Sequence, residues 1–126
     1  MSGKHRLILV VDDDLFTAEL TGMIVEMVGY EAIIAEGGMD ALQKIDEHEG
    51  ICAVISDMNM PLMNGVELFE QMRYGGFNLP FILLTGDDAA PISSACPEID
   101  AVMTKNESLQ EELPDMILSL LQSVKG

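Results

Sequence analysis

An open α/β fold, a five-stranded parallel sheet with helices on both faces, follows from three features of the sequence. Short apolar runs recur along it, helix-period patterns fill the gaps, and polar residues capable of chemistry stand at the ends of the runs. The runs are Leu7–Val11, Ala32–Ala35, Ile51–Ile55, Leu79–Leu84 and Ala101–Thr104. Four of these five are apolar on both sides of the pleat, the mark of strands covered on both faces and hence of a parallel sheet.

The elements between them read in order. The first helix, Leu15–Val28, places Leu20, Met23, Ile24, Met27 and Val28 on one face, and Met23 and Met27 are expected to fill the core. The second, Met39–His48, groups Ala41, Leu42 and Ile45, and the third, Gly65–Arg73, groups Val66, Leu68, Phe69 and Met72. Gly29, and Gly75 with Gly76, are stop signals for the first and third. The segment Asp87–Asp100 contains Pro91 and Pro97 and few apolar residues at helical spacing, so the fourth helix is short or irregular, or a loop. The last helix covers Ser108–Val124, with Leu109, Leu113, Met116, Ile117, Leu120, Leu121 and Val124 in phase. Ser108 and Glu111 suit a capping box, and Pro114 implies either a kink or a helix that begins with Pro114 in its first turn. Strands alternating with helices through right-handed crossovers give a doubly wound, flavodoxin-like sheet of order 2-1-3-4-5. Ligands of such sheets bind beyond the carboxyl ends of the strands.

Composition narrows the function. The 126 residues carry a formal net charge of −16, yet 48% of them are hydrophobic, so the acidity belongs to the surface of a folded domain and not to a disordered chain. No repeat, low-complexity tract or linker marks a boundary, and one domain over residues 1–126 with no output domain is expected. A surface of this sign repels phosphate backbones and anionic headgroups, which argues against nucleic acid and membrane as partners and for basic proteins or cationic metals. Cys52 and Cys96 are too few for a disulfide framework, and their apolar neighbours suit buried thiols in a reducing compartment. Lys4, His5 and Arg6 precede an apolar run of only five residues ended by aspartates, too short for a signal peptide's core of roughly 7 to 15. No run reaches the roughly 18 residues of a membrane span, so a cytoplasmic location is expected.

The strand ends hold the chemistry. The first ends in Asp12, Asp13 and Asp14, the third in Asp57 after Ser56, the fourth in Thr85 and the fifth in Lys105. Singly each is ordinary: an aspartate after a strand is commonly a helix cap, and a lone threonine or lysine is commonly a surface residue. Together they deliver carboxylates, a hydroxyl and an ammonium to one edge of one sheet. Asp12 or Asp13 beside Asp57 sets like charges close together, a repulsion that a hard divalent cation such as Mg²⁺ relieves while keeping positions open for water and phosphate. A carboxylate can attack phosphorus in line when the equatorial oxygens are neutralised, here by Mg²⁺, by Lys105, and by Thr85 with backbone N–H groups. Asp57, on a central strand, is the nucleophile of choice, and the first-strand aspartates suit metal holding.

These residues resemble the receiver domain of two-component response regulators. The resemblance runs from Leu7 to Val124 and rests on Val10-Val11-Asp12-Asp13, on Asp57-Met58-Asn59-Met60-Pro61-Leu62-Met63-Asn64-Gly65, on Leu84-Thr85-Gly86 and on Lys105. It implies that Asp57 accepts a phosphoryl group from a histidine kinase or histidine phosphotransfer protein. It further implies that Asp13 binds Mg²⁺ directly, Asp12 mostly through water, and the main-chain carbonyl of Asn59 completes the protein ligands with Asp57. Thr85 and Lys105 would then hold the phosphoryl oxygens, Gly86 would leave room for the acyl phosphate, and Asn59 and Asp87 would tune how fast water removes it. A phosphorylated chain of this kind signals by binding a separate downstream effector, and it is a phosphoacceptor and not a turnover enzyme.

Three departures from the family pattern stand out. Asn106 follows Lys105 where proline is usual, which bears on the cis peptide expected there; Val102 replaces the usual switching aromatic; and the stretch from Thr85 to Lys105 is shorter than the resemblance implies. Two other readings compete. A pseudo-receiver would bind constitutively, but all the core polar groups are present. A haloacid-dehalogenase-type phosphatase needs an Asp-x-Asp motif in a register that Asp12-Asp13-Asp14-Leu15-Phe16-Thr17 misses, and the chain lacks the length for a cap domain. Met72 and Met116 read as core, whereas Met58, Met60 and Met63, beside Asp57, are the better candidates for contact with a docking helix, although the family's loop pattern already accounts for Met60.

Overall fold

A computed structural model of the chain describes residues 6–123. In chain order it contains β1 (Leu7–Val11), α1 (Leu15–Met27), β2 (Glu31–Ala35), α2 (Gly38–Glu47), β3 (Ile51–Asp57), α3 (Gly65–Tyr74), β4 (Phe81–Thr85), α4 (Ala89–Ala95), β5 (Ala101–Thr104) and α5 (Leu109–Ser123). All strand pairs are parallel and the order is β2-β1-β3-β4-β5, as the alternation predicts. Val124, Lys4 and His5 lie outside the described residues.

The unbroken apolar runs serve two cores, because successive side chains in a strand point to opposite faces. Leu9, Val11, Val54, Phe81 and Leu83 meet Ala41 and Ile45 of α2 and Leu68, Phe69 and Met72 of α3 on one face. Ile8, Val10, Ala53, Ile55, Ile82, Leu84 and Met103 meet Ala18 and Val25 of α1 and Leu113 and Ile117 of α5 on the other. Phe69 and Phe81 stack edge to face, with centroids 5.2 Å apart. Cys52 and Cys96 are free and half-buried against opposite cores, and burial pushes the Cys52 thiol up from its ordinary value.

Both glycine stop signals act as expected. Gly29 and Gly76 take left-handed backbone, with φ of 96° and 90°. The N–H groups of Tyr30 and Phe77 reach back to the carbonyls of Val25 and Met72, closing the ends of α1 and α3. The helix of Asp87–Asp100 is short, seven residues with none buried. The last helix starts at Leu109, not at Pro114, which sits inside it; the Asn106 side chain accepts the Ser108 N–H and organises the entry turn.

The face of α1 corrects the sequence reading. Its core side is Ala18, Thr21, Gly22 and Val25, whereas Met23 and Met27, expected inside, are 60% and 76% exposed. The small residues let the helix lie close on the sheet: a Cβ on Gly22 would stand 3.3 Å from that of Ala32. The larger apolar side chains are thereby turned outward. Leu15, Phe16, Leu20, Met23 and Met27 make up most of the exposed large apolar residues among those described.

The described cations are all engaged within the chain. Arg6 donates to the Gly29 carbonyl at 2.6 Å and lies over the Tyr30 ring. Lys44 pairs with Asp40 at 3.0 Å, and Arg73 donates to the carbonyls of Phe77 and Leu79 while covering Phe69. Lys105 points into the cluster described next.

Candidate functional site

Each strand end delivers its group for a local reason. At the end of β1, Asp14 is the N-cap of α1: its carboxylate accepts the Phe16 N–H at 3.1 Å and the Thr17 hydroxyl at 3.0 Å. Asp14 is thereby committed to structure. Asp12 accepts the Asp14 N–H at 2.9 Å through Oδ1, leaving Oδ2 for the cluster. β3 runs two residues beyond the predicted end, so Ser56 and Asp57 are strand residues and the Asp57 backbone is held in the ladder beside Leu84. The loop that follows is tied by Met58 N–H to Leu84 carbonyl, 2.8 Å, and by Gly65 N–H to Met58 carbonyl, 2.9 Å. A capping box between Asn64 and Glu67 then starts α3.

The side chains converge. Oxygens of Asp12, Asp13 and Asp57 all lie within 4.8 Å of one another. Lys105 Nζ stands 2.6 Å from Asp57 Oδ1 and 3.4 Å from Asp12 Oδ2. Thr85 is fully buried at the end of β4, and its carbonyl accepts the Lys105 N–H at 2.7 Å, which locks the ends of β4 and β5 together. Burial pushes the Asp12 carboxyl up from its ordinary value, against the Asp14 N–H and Lys105, with the nearby Asp57 charge adding to the rise. Burial opposes the charge on Lys105, but its hydrogen bond to Asp57 and the charges of Asp12 and Asp57 outweigh that and hold its pKa above the usual lysine value.

Three carboxylates therefore face one ammonium, and the excess negative charge is gathered on hard oxygen donors. That donor set fits a small divalent cation that keeps some of its waters, such as Mg²⁺. Asn59 is exposed in the loop two residues beyond Asp57. No cis peptide bond occurs among the described residues, so Lys105–Asn106 is trans, in keeping with the high cost of a cis bond to a residue other than proline. Val102 is half-buried and packs against the first core, on the α4 side of β5.

Two surface features were not legible in the sequence. The first is the loop after Asp57. Met60 is buried and Met58 and Met63 are packed against the core, so the methionines expected to contact a partner are mostly structural. The large apolar residue that the loop exposes is Leu62, fully accessible, with φ of 71° and the Met63 N–H closing back on the Pro61 carbonyl at 2.7 Å. A leucine in that γ-turn conformation is strained, and nothing in its identity announces it. The second is the outward stripe of α1. Leu20, Met23, Ile24 and Met27 line a groove of about 570 Å³ against Leu109 of α5, and Lys105 and Asn106 stand at its margin.

Comparison with known proteins agrees with this geometry. Residues 8–118 match the family described as response regulator receiver domain. The CpxR homolog of Haemophilus influenzae, a transcriptional regulatory protein, is 36% identical over 83 residues, 64% of this chain and 35% of that protein. The sensor histidine kinase RcsC of Salmonella typhimurium is 33% identical over 110 residues, 86% of this chain and 12% of that one. The chain thus corresponds to a minor part of the length of these relatives. Among solved structures, a CheY-like receiver domain protein from Methanospirillum hungatei superposes with a TM-score of 0.80 at 28% identity, covering 95% of this chain and 97% of that one. Response regulator TrrA of Thermotoga maritima, solved with Mg²⁺ and BeF, superposes with a TM-score of 0.74 at 29% identity, covering 88% and 98%. With residues 8–118 matching that family over a parallel sheet of order β2-β1-β3-β4-β5, the chain belongs to the response regulator receiver domains of two-component systems.

Proposed function

We propose that this receiver takes a phosphoryl group onto Asp57 from a histidine kinase or histidine phosphotransfer protein, and that the new charge changes a surface read by a separate effector. The observation that carries the reading is the cluster itself: Asp57, 7% exposed at the end of a central strand, with Lys105 Nζ at 2.6 Å and two further carboxylates within 4.8 Å. Asp57 forms the O–P bond as the donor's P–N bond breaks, and that bond's electron pair returns to the imidazole. Lys105, which holds Asp57 Oδ1 beforehand, exchanges the carboxylate for a phosphoryl oxygen, and the Thr85 hydroxyl donates to another. Mg²⁺, when bound by Asp12, Asp13, Asp57 and the Asn59 carbonyl, supplies neutralisation of a phosphoryl oxygen and of the crowded carboxylates. Asp87, exposed in the loop after β4, is the proposed modulator of the attack of water on the phosphate.

The stripe on α1 supports a helical phosphodonor. Phe16, Leu20, Met23 and Met27 are spaced as one seam of a helix pair, and the seam runs away from the site at the helix N-terminus. The product is one stoichiometric acyl phosphate and not a turnover reaction, formed in the cytoplasm where such donors act. Moving a switch from mostly off to mostly on takes about 5.5 kcal/mol, within reach of a cation contact and two charge-assisted hydrogen bonds. The test is labelling by acetyl phosphate with Mg²⁺: the wild-type chain gains one phosphoryl group and Asp57→Asn gains none. Equal labelling of the two refutes the nucleophile assignment.

A further inference from the structure

We propose that Thr104 is a positioning residue that latches the β4–α4 loop to strand β5, so that the loop's place reports the state of the Thr85 hydroxyl. The inference rests on the phosphoacceptor reading and extends it to how the signal leaves the site. Asp87 is tied on both sides. Its N–H donates to Thr85 Oγ1 at 3.1 Å, and its carbonyl accepts the Thr104 hydroxyl at 3.3 Å. One peptide segment thus connects a fully buried residue of the pocket to the last residue of an edge strand.

Little else holds the loop itself, although Ile92 of α4 beyond it packs against the first core. Gly86 has open space about it, and the α4 helix that follows buries none of its residues. A segment with so little packing is placed by its few hydrogen bonds. Among the described residues the Thr104 bond is the side-chain hydrogen bond from β5 to this loop. Thr104 lies on the same face of β5 as Val102, whose aliphatic side chain packs against the core and offers no polar group. The end of β5 below it is fixed by the Lys105–Thr85 backbone bond, so the strand is a firm anchor. When the Thr85 hydroxyl moves toward an anion on Asp57, Asp87 is drawn with it. The Thr104 bond, already long for a hydroxyl donor, then opens. The loop is released from β5, and the surface it forms with the start of α4 changes.

Titration with beryllofluoride and Mg²⁺, followed through the backbone amide signals, tests this on wild-type chain, Thr104→Val and Thr104→Ser. A latch that favours only the unphosphorylated arrangement makes Thr104→Val bind the mimic about 2- to 12-fold more tightly, the worth of one net hydrogen bond. Its free-state Asp87 amide lies part-way toward the bound position, and Thr104→Ser behaves as wild type. Unchanged or weaker binding by Thr104→Val, or a serine variant that behaves like the valine one, overturns the latch while leaving the phosphoacceptor reading intact. A wild-type chain that takes up no beryllofluoride overturns both.

Discussion

Replacing Gly65 by alanine tests how tightly the loop after β3 is clamped on the site. Gly65 is buried at the first position of α3. A Cβ there would fall on Leu83 Cδ1 and stand 2.6 Å from the Asp57 carbonyl oxygen and 3.2 Å from Met58 Cα. Leu83 can turn away, but backbone cannot. The start of α3 must lift, stretching the 2.9 Å bond from Gly65 N–H to the Met58 carbonyl, or the end of β3 must move. Overpacking of this kind costs about 1–3 kcal/mol. The lower entropy of an unfolded alanine chain returns about 0.4–1 kcal/mol, so a net loss of about 1–2 kcal/mol is expected. Urea unfolding reads it as a lower midpoint at unchanged slope. Because the displaced atoms belong to Asp57 itself, labelling by acetyl phosphate slows as well. Gly86→Ala, with no atom near the new methyl, stays within about 0.5 kcal/mol of wild type and serves as the control for stability. A Gly65→Ala chain as stable as wild type and labelled at the same rate would refute the clamp.

Three further outcomes follow from the same structure. Met72→Ala, deep under α3, loses about 2–5 kcal/mol by denaturant unfolding, whereas Met27→Ala on the outer face of α1 changes stability by less than about 0.5 kcal/mol; equal losses would contradict the orientation of α1. Mg²⁺ at ten times its dissociation constant stabilises the chain by about 1.4 kcal/mol in calorimetry, and Asp13→Asn removes most of that gain; an undiminished gain would place the ion elsewhere. The Glu36 N–H and Lys44 hold the Asp40 carboxyl below its ordinary value. Its contribution, about 0.2–1 kcal/mol for a partly exposed pair, is therefore complete above the unfolded value and fades as the pH falls through the lower folded one. The stability difference between wild type and Asp40→Asn should shrink over that acid range, and a constant difference would count against the pairing.

The strand ends were legible because a buried parallel sheet must write its strands as unbroken apolar runs, so the first polar residue after each run marks the working edge. Asp12, Thr85 and Lys105 were found that way, and Asp57 one place beyond Ser56, and the structure brings them to one edge. The α1 face was misread because bulk and burial part company there. Ala18, Thr21 and Gly22 carry little hydropathy, yet their smallness brings the helix onto the sheet, while the large residues that dominate the periodicity lie outside. The loop methionines failed for a related reason: nothing local says that Met60 folds under the loop while Leu62 takes the strained outward place. Thr104 looked like the end of a strand, and its hydroxyl acquired meaning only when Asp87, seventeen positions earlier, came within reach.

With Arg6, Lys44, Arg73 and Lys105 all occupied inside the molecule, the described exterior offers anions almost without relief. Two copies drifting together in dilute buffer meet like-signed fields, and that mutual repulsion opposes the pairing of one oily helix face with another. Concentrated electrolyte shortens the reach of those fields to about 3 Å at 1 M. The chain should then become stickier toward itself as salt is added, the reverse of what is ordinarily seen with assemblies held by opposite charges.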